Sequence, residues 1–278
     1  MKASQVFQRI KDEKMMAVIR KDTLEELVSV CEILQSEGLT LMEISLTSPF
    51  ALEAIQAVKN RFPHILLGAG TVLCEADMEK ALTAGADFLV SPSFHEGVVA
   101  ECKRKGVLVI TGVFTPTEMM LACEYGCPVV KIFPANTLGT NSIKAFQGPF
   151  PKLTFLPMGG IDRENAREWL KGGAVCLGIG GSLCNGSEAE VRSSVRYYKR
   201  VVSEFKKEMR YKAMNYKELQ DKFDKEKWHD SILVGADTCG EYDFCVRCNK
   251  AEEYPCAKAM AKHKGKRVRL AQLLPRKD

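Results

Sequence analysis

No stretch of this chain is long and apolar enough to span a bilayer, since a membrane helix needs about 18 to 20 consecutive apolar residues and no run approaches that. A secretion signal is missing from the start as well, because MKASQVFQRIKDEKMM is mixed polar and amphipathic rather than a basic segment leading into an apolar one. Most of the chain also lacks an excess of either charge. Met1 to Arg210 holds 25 Lys and Arg against 24 Asp and Glu, so no global field draws it to nucleic acid; Tyr211 to Asp278 holds 15 against 11. The first seven cysteines (Cys31, Cys74, Cys102, Cys123, Cys127, Cys176, Cys184) show no framework spacing, as expected of reduced and mostly buried thiols. These absences, with 46% hydrophobic and 27% charged residues, indicate a cytoplasmic globular protein.

What is present is a regular alternation. Eight short apolar runs recur at steady spacing: MAVIR (16–20), LMEISL (41–46), LLGAGTV (66–72), FLVSP (88–92), LVITGV (108–113), VVKIFP (129–134), TFLPMGG (154–160) and VCLGIG (175–180). Between them lie segments of helical period, such as TLEELVSVCEILQSEG, which begins on a capping Thr23 and stops at Gly38. Eight strands, each followed by a helix with parallel connections, predict an α/β protein of the (β/α)₈ TIM-barrel type over residues 1–210, with an open eight-stranded sheet as the other topology the pattern allows. A charged helix from Val191 to Arg210 closes the barrel. A small Cys-rich, basic unit over 211–278 follows.

One strand carries a charge where burial forbids it. In VVKIFP the apolar pair Val130 and Ile132 suits the helix layer, which turns Val129, Lys131 and Phe133 inward. By the same parity, Met42, Ile44 and Leu46 point out of the second strand and Glu43 and Ser45 point in, while Arg20 ends the first strand on the inward face of Val18. A structural ion pair is one reading, although desolvation makes such pairs weak stabilisers. Inward charges near the carboxyl ends of barrel strands sit where this fold builds active sites. A lysine in apolar surroundings loses its proton readily and attacks carbonyls to form an imine, and a nearby carboxylate can shuttle the protons. A metal-dependent barrel such as a decarboxylase would need a second inward carboxylate, and only Glu43 qualifies. The glycine turns PMGG (157–160) and GIGGS (178–182), after the seventh and eighth strands, occupy the usual phosphate position of barrels, with Ser182 as a hydroxyl donor.

Taken in order, EISLTSP, GAGTV, SPSF, GVFTPTEMM, VKIFPA, QGPFP, PMGGI and GIGGSL make residues 1–207 resemble the bacterial 2-keto-3-deoxy-6-phosphogluconate / 4-hydroxy-2-oxoglutarate aldolases. The resemblance implies a cofactor-free, usually trimeric class I aldolase acting on a small 2-keto acid. It implies Lys131 as the imine-forming lysine and Glu43 as general acid and base. Thr71 and Pro92 would border the pyruvoyl group, Phe133 would pack near the imine, and Arg20 would lie near the substrate's anionic end. Gly159, Gly160, Gly180, Gly181 and Ser182 would hold phosphate. Two substrate-site positions depart from the pattern: Thr47 stands where many relatives have arginine, and Met158 stands where they usually have threonine. The second change leaves a smaller 4-hydroxy-2-oxoacid as rival to the phosphorylated sugar acid.

The tail reads CGEYDFCVRCNKAEEYPC. Cys239, Cys245, Cys248 and Cys256 have the composition of a tetrathiolate site for zinc or an iron–sulfur cluster, with a metal-free or disulfide-switching role as the alternative; His229 and His263 are candidate replacement ligands. The basic stretch KHKGKRVR has no interleaved aromatic residues, so it reads as a solvated face and nucleic acid is not expected. Were the barrel only a scaffold, this unit would carry the function by binding a partner, but a scaffold has no use for a buried amine.

Overall fold

The computed structural model describes residues 1–213, 216–234, 237–240, 242, 245 and 248–262. His263, nearly all of KHKGKRVR and the following LAQLLP lie outside them. The chain divides into two compact units, Met1–Phe205 and Lys206–Asp278.

In the first unit all eight apolar runs form parallel strands: β1 (Met15–Ile19), β2 (Leu41–Ser45), β3 (Leu66–Gly70), β4 (Phe88–Val90), β5 (Leu108–Val113), β6 (Val129–Ile132), β7 (Thr154–Pro157) and β8 (Leu177–Ile179). Their order is β7-β6-β5-β4-β3-β2-β1-β8. The last seam is joined by a parallel bridge between Met158 and Gly178 and by the Val175 N–H donating to Phe155 O at 2.9 Å. The sheet is therefore a barrel, and the open-sheet alternative falls away. Because side chains alternate across each strand, two separate cores result. Met15, Ala17, Ile19, Met42, Ile44, Val130 and Ile132 pack outward against the helices, while Met16, Val18, Leu41, Leu66, Phe88, Val90, Leu108, Ile110, Val129, Leu156 and Met158 fill the interior. Val6 and Ile10 of α1 (Ala3–Glu13) join the interior cluster, which gives the amphipathic amino-terminal segment its function in the fold.

The helices start where the sequence caps them. Thr23 accepts from the Glu26 N–H (3.2 Å) while Glu26 reaches back to the Thr23 N–H (3.2 Å), a reciprocal cap on α2 (Leu24–Ser36) of the kind that contributes about 1 kcal/mol. Thr115 and Glu118 repeat it on α6 (Pro116–Glu124). Between these come α3 (Ala51–Arg61), α4 (Glu75–Thr83) and α5 (Glu96–Lys105); α7 (Ala135–Leu138), α8 (Ser142–Gln147), α9 (Ala166–Gly172) and α10 (Gly181–Cys184) follow. The charged helix placed at 191–210 is longer than expected: α11 runs Glu188–Ala213 because Ser187 and Glu190 cap it upstream. Its Arg192 and Arg196 both pair with Glu37 (3.1 and 2.8 Å), and the two guanidinium groups pull that carboxyl down to about 2.

In the second unit α12 (Tyr216–Val234) and α13 (Pro255–Lys262) enclose a core of Leu219, Phe223, Tyr242, Cys256, Ala257 and Ala259. The ILVG segment begins inside α12. Gln220 Oε1 accepts the N–H groups of Cys256 and Ala257 (2.8 and 3.2 Å), which caps α13.

Candidate active site

Register places the charged side chains. Glu43 lies between Val18 and Gly68 in the ladder, and Lys131 between Gly112 and Leu156. Both are buried, Glu43 fully and Lys131 to 2% exposure, and each lies on the inward parity of its strand. Neither carboxylate oxygen of Glu43 has a hydrogen-bond partner. An unpartnered buried polar group costs about 1–3 kcal/mol, so stability alone gives no reason for this carboxyl to be here.

Glycines make the space for it. A Cβ on Gly70 would lie 1.7 Å from Glu43 Oε1, and one on Gly112 would lie 2.1 Å from the backbone carbonyl of Pro92. The first absence of a side chain admits the carboxyl. The second lets the β4–α5 loop cross close to the strand that is paired with Lys131. Burial pushes the Glu43 carboxyl above its ordinary range, against the attraction of Lys131 and Arg20. Burial also pulls the Lys131 amine below its ordinary range, aided by the Arg20 charge and opposed by Glu43. Both groups move toward their neutral forms, as a pair that titrates as a unit.

The remaining predicted residues divide by how they are held. Lys131 Nζ lies 4.4 Å from the Phe133 ring centroid. Thr71 follows Gly70 in a left-handed conformation (φ 60°), a cost of about 1–3 kcal/mol for a β-branched residue that surrounding contacts must hold. Its Oγ1 lies 2.8 Å from Ser45 Oγ, which lies 2.8 Å from Thr47 Oγ1. The three hydroxyls form a chain two residues along β2 from Glu43. Thr47 thus supplies a hydroxyl in place of a guanidinium charge. Arg20 is exposed, yet its charge bears on both Glu43 and Lys131. Met158 is buried and packs over Gly178 inside the barrel, an apolar filling for this part of the interior. The N–H groups of Gly159, Gly160, Gly180 and Gly181 donate to no described residue, whereas Ser182 is engaged: its Oγ donates to Ile161 O (2.7 Å) and accepts from Tyr198 OH (3.1 Å). Residue-by-residue reading did not single out Gly70, Gly112 or the Ser45–Thr47–Thr71 chain; the glycines at inward parity in GAGT and TGV were the available signal.

The tail cysteines are gathered around an ammonium group. Lys227 Nζ lies 3.0 Å from Cys256 Sγ and 3.7 Å from Cys239 Sγ, while Cys245 and Cys248 pack against the small core. Among the described residues no three His, Cys, Asp or Glu side chains are arranged to hold a metal ion, and no helix is long and apolar enough to cross a membrane.

A parallel (β/α)₈ barrel enclosing an amine, a carboxyl and open glycine turns defines a class: phosphate-tolerant barrels equipped for chemistry at a carbonyl. Residues 6–195 match the family model for KDPG and KHG aldolases, and the chain belongs to that family. It is accordingly a class I aldolase, a carbon–carbon lyase that works through an imine and needs no cofactor. Among its relatives, 2-dehydro-3-deoxy-phosphogluconate aldolase of Treponema pallidum is 37% identical over 178 residues, covering 64% of this chain and 84% of that protein. KHG/KDPG aldolase of Escherichia coli K12 is 35% identical over 166 residues, 59% of this chain and 76% of that one. The fold superposes on KDPG aldolase from Legionella pneumophila, solved with pyruvate captured as a covalent carbinolamine, with a TM-score of 0.63 at 28% identity, over 72% of this chain and 96% of that one.

Proposed function

We propose that the enzyme cleaves 2-keto-3-deoxy-6-phosphogluconate to pyruvate and glyceraldehyde 3-phosphate, with 4-hydroxy-2-oxoglutarate, giving pyruvate and glyoxylate, as the smaller substrate, and that Lys131 and Glu43 carry the reaction. The observation that carries this reading is a buried amine and a buried carboxyl inside a barrel of this family, each pushed toward its neutral form by burial against the other's charge. The neutral Lys131 amine attacks the C2 carbonyl; the carbinolamine hydroxyl takes the proton of the neutral Glu43 carboxyl and leaves as water, giving an iminium beside the Glu43 carboxylate. The C3–C4 bond then breaks, its electron pair passing into the iminium to form an enamine, while the C4 hydroxyl gives its proton to Glu43 and becomes the aldehyde carbonyl. Glu43 returns the proton to C3, and water releases pyruvate and the amine. Both Glu43 oxygens are free of other partners, which leaves them available for every transfer.

Thr71 and Pro92 border the pyruvoyl group, with the Ser45–Thr47–Thr71 hydroxyls and Arg20 facing its carboxylate. The open N–H groups of Gly159, Gly160, Gly180 and Gly181 receive phosphate, and their presence favours the phosphorylated acid as first substrate. Ser182 can join them only by turning its hydroxyl away from Ile161. The enzyme acts in the cytoplasm as a homotrimer, a reading supported by family membership and, for the trimer, by exposed apolar side chains of the barrel unit that include Phe50, Leu73 and Met120. Borohydride trapping with pyruvate, read by intact mass and peptide mapping, tests the core of the proposal. A covalent adduct on Lys131 is expected, with Lys131→Met folded and inert; cleavage by that variant at the wild-type rate overturns the assignment.

A further inference from the structure

The carboxyl-end face of the barrel has a direction. Starting at Lys131, whose Nζ faces the Phe133 ring, the next contact is between that ring and the place where a Cβ on Gly159 would sit, at 3.3 Å. Gly160, the following residue, faces Asn136: the Asn136 Cβ lies 2.5 Å and its Nδ2 3.3 Å from the Cβ position of Gly160. Two successive glycines of the β7 turn thus lie against Phe133 and Asn136, which follow β6. The two turns are stitched together, because the Ala135 N–H donates to Met158 O (2.8 Å) and the Asn136 N–H to Gly159 O (3.1 Å). The glycine turn is fixed from its other side by Asn165 Nδ2, which donates to Gly160 O at 2.7 Å.

At this place the Asn136 amide is exposed and hydrogen-bonds to no described residue. Two neighbouring polar side chains are already committed. Ser182 gives its hydrogen to Ile161 O, and Arg163 donates to Ser194 Oγ (3.1 Å) and lies over the Tyr197 ring, 4.9 Å from its centroid. Gly159 and Gly160, both at positive φ (88° and 75°), present N–H groups without acceptors beside the amide. A phosphate monoester offers only acceptor oxygens and formal negative charge, so it matches a cluster of N–H donors and nothing else in this corner.

We propose that Asn136 is a specificity-determining residue, donating its side-chain amide to the phosphate monoester at the far end of the substrate, next to the Gly159 and Gly160 N–H groups. This rests on the reading of Lys131 as the imine lysine. The test compares 2-keto-3-deoxy-6-phosphogluconate with the same acid lacking its phosphate. Asn136→Asp keeps the shape and replaces two donors with a negative charge. The ratio of kcat/KM for the phosphorylated over the unphosphorylated acid is expected to fall at least about tenfold, mainly through KM. Asn136→Ala, which adds no charge and serves if the aspartate variant misfolds, is expected to lower the same ratio by about threefold or more. Trapping of pyruvate on Lys131 separates the two ways of failing. Loss of trapping in the wild-type enzyme removes the reading beneath the proposal. Trapping retained, with the ratio within about twofold of wild type in the variants, overturns the Asn136 assignment alone.

Discussion

Gly70→Ala tests the site directly, because one methyl group is aimed at one carboxyl. Its Cβ would lie 1.7 Å from Glu43 Oε1, 2.4 Å from Cδ and 2.7 Å from Cγ. An ordinary contact between such atoms is about 3.5 Å, so the carboxyl must withdraw by roughly 1.5 to 2 Å. Gly70 does not have positive φ, so the backbone itself accepts alanine. Overpacking costs about 1–3 kcal/mol, and the stiffer unfolded chain returns about 0.4–1 kcal/mol, leaving a net loss on the order of 1–2 kcal/mol. Catalysis suffers more than stability. A displacement of about 1 Å at a reacting group lowers the rate on the order of 10²-fold, so pyruvate release measured by a coupled dehydrogenase assay is expected to fall by at least that factor. In a Glu43→Ala background the methyl has somewhere to go. The destabilisation on adding Gly70→Ala should therefore shrink, giving a coupling energy of about 1 kcal/mol in a urea-unfolding cycle. A Gly70→Ala enzyme with wild-type kcat, or a cycle with no coupling, refutes the inference that this glycine exists to house the carboxyl.

Two further outcomes follow from charge. Glu43 holds the Lys131 proton in place against burial and Arg20, so Glu43→Gln is expected to lower the amine further and move the acid limb of the imine-trapping rate to lower pH, measured as adduct yield against pH; a limb moved upward contradicts the electrostatics. Glu37 is held down to about 2 by Arg196 and Arg192, so its contribution is complete above about 4.5, the ordinary carboxylate value, and lost as pH falls toward 2. Glu37→Gln should lower the urea midpoint at pH 7 and leave it nearly unchanged relative to wild type near pH 2; equal midpoints at both pH values count against the Glu37 pairing.

The sequence by itself determined eight strands alternating with helices and the identity of two charged interior residues; the seam between β7 and β8 then selected a closed barrel over an open sheet. Strand parity has a period of two, and where the apolar pair of a strand faces the helix layer a lysine or glutamate on the other parity has only the interior to point into, which is why Lys131 and Glu43 were legible in the sequence. The start of α11 was less so, since Ser187 and Glu190 begin the helix upstream of its apolar pattern. Tertiary structure decided what no linear pattern encodes. That Gly70 clears space for Glu43, that Gly112 admits the Pro92 backbone, and that Asn136 abuts Gly160 are contacts between residues 20 or more positions apart in the chain, set by register and barrel closure. The same holds for two other side chains. Ser182 turns its hydroxyl to Ile161, and Lys227 lies among the thiols at Cys239 and Cys256, because a side chain's partner is fixed by what packing brings within 3 to 4 Å and not by its neighbours along the chain.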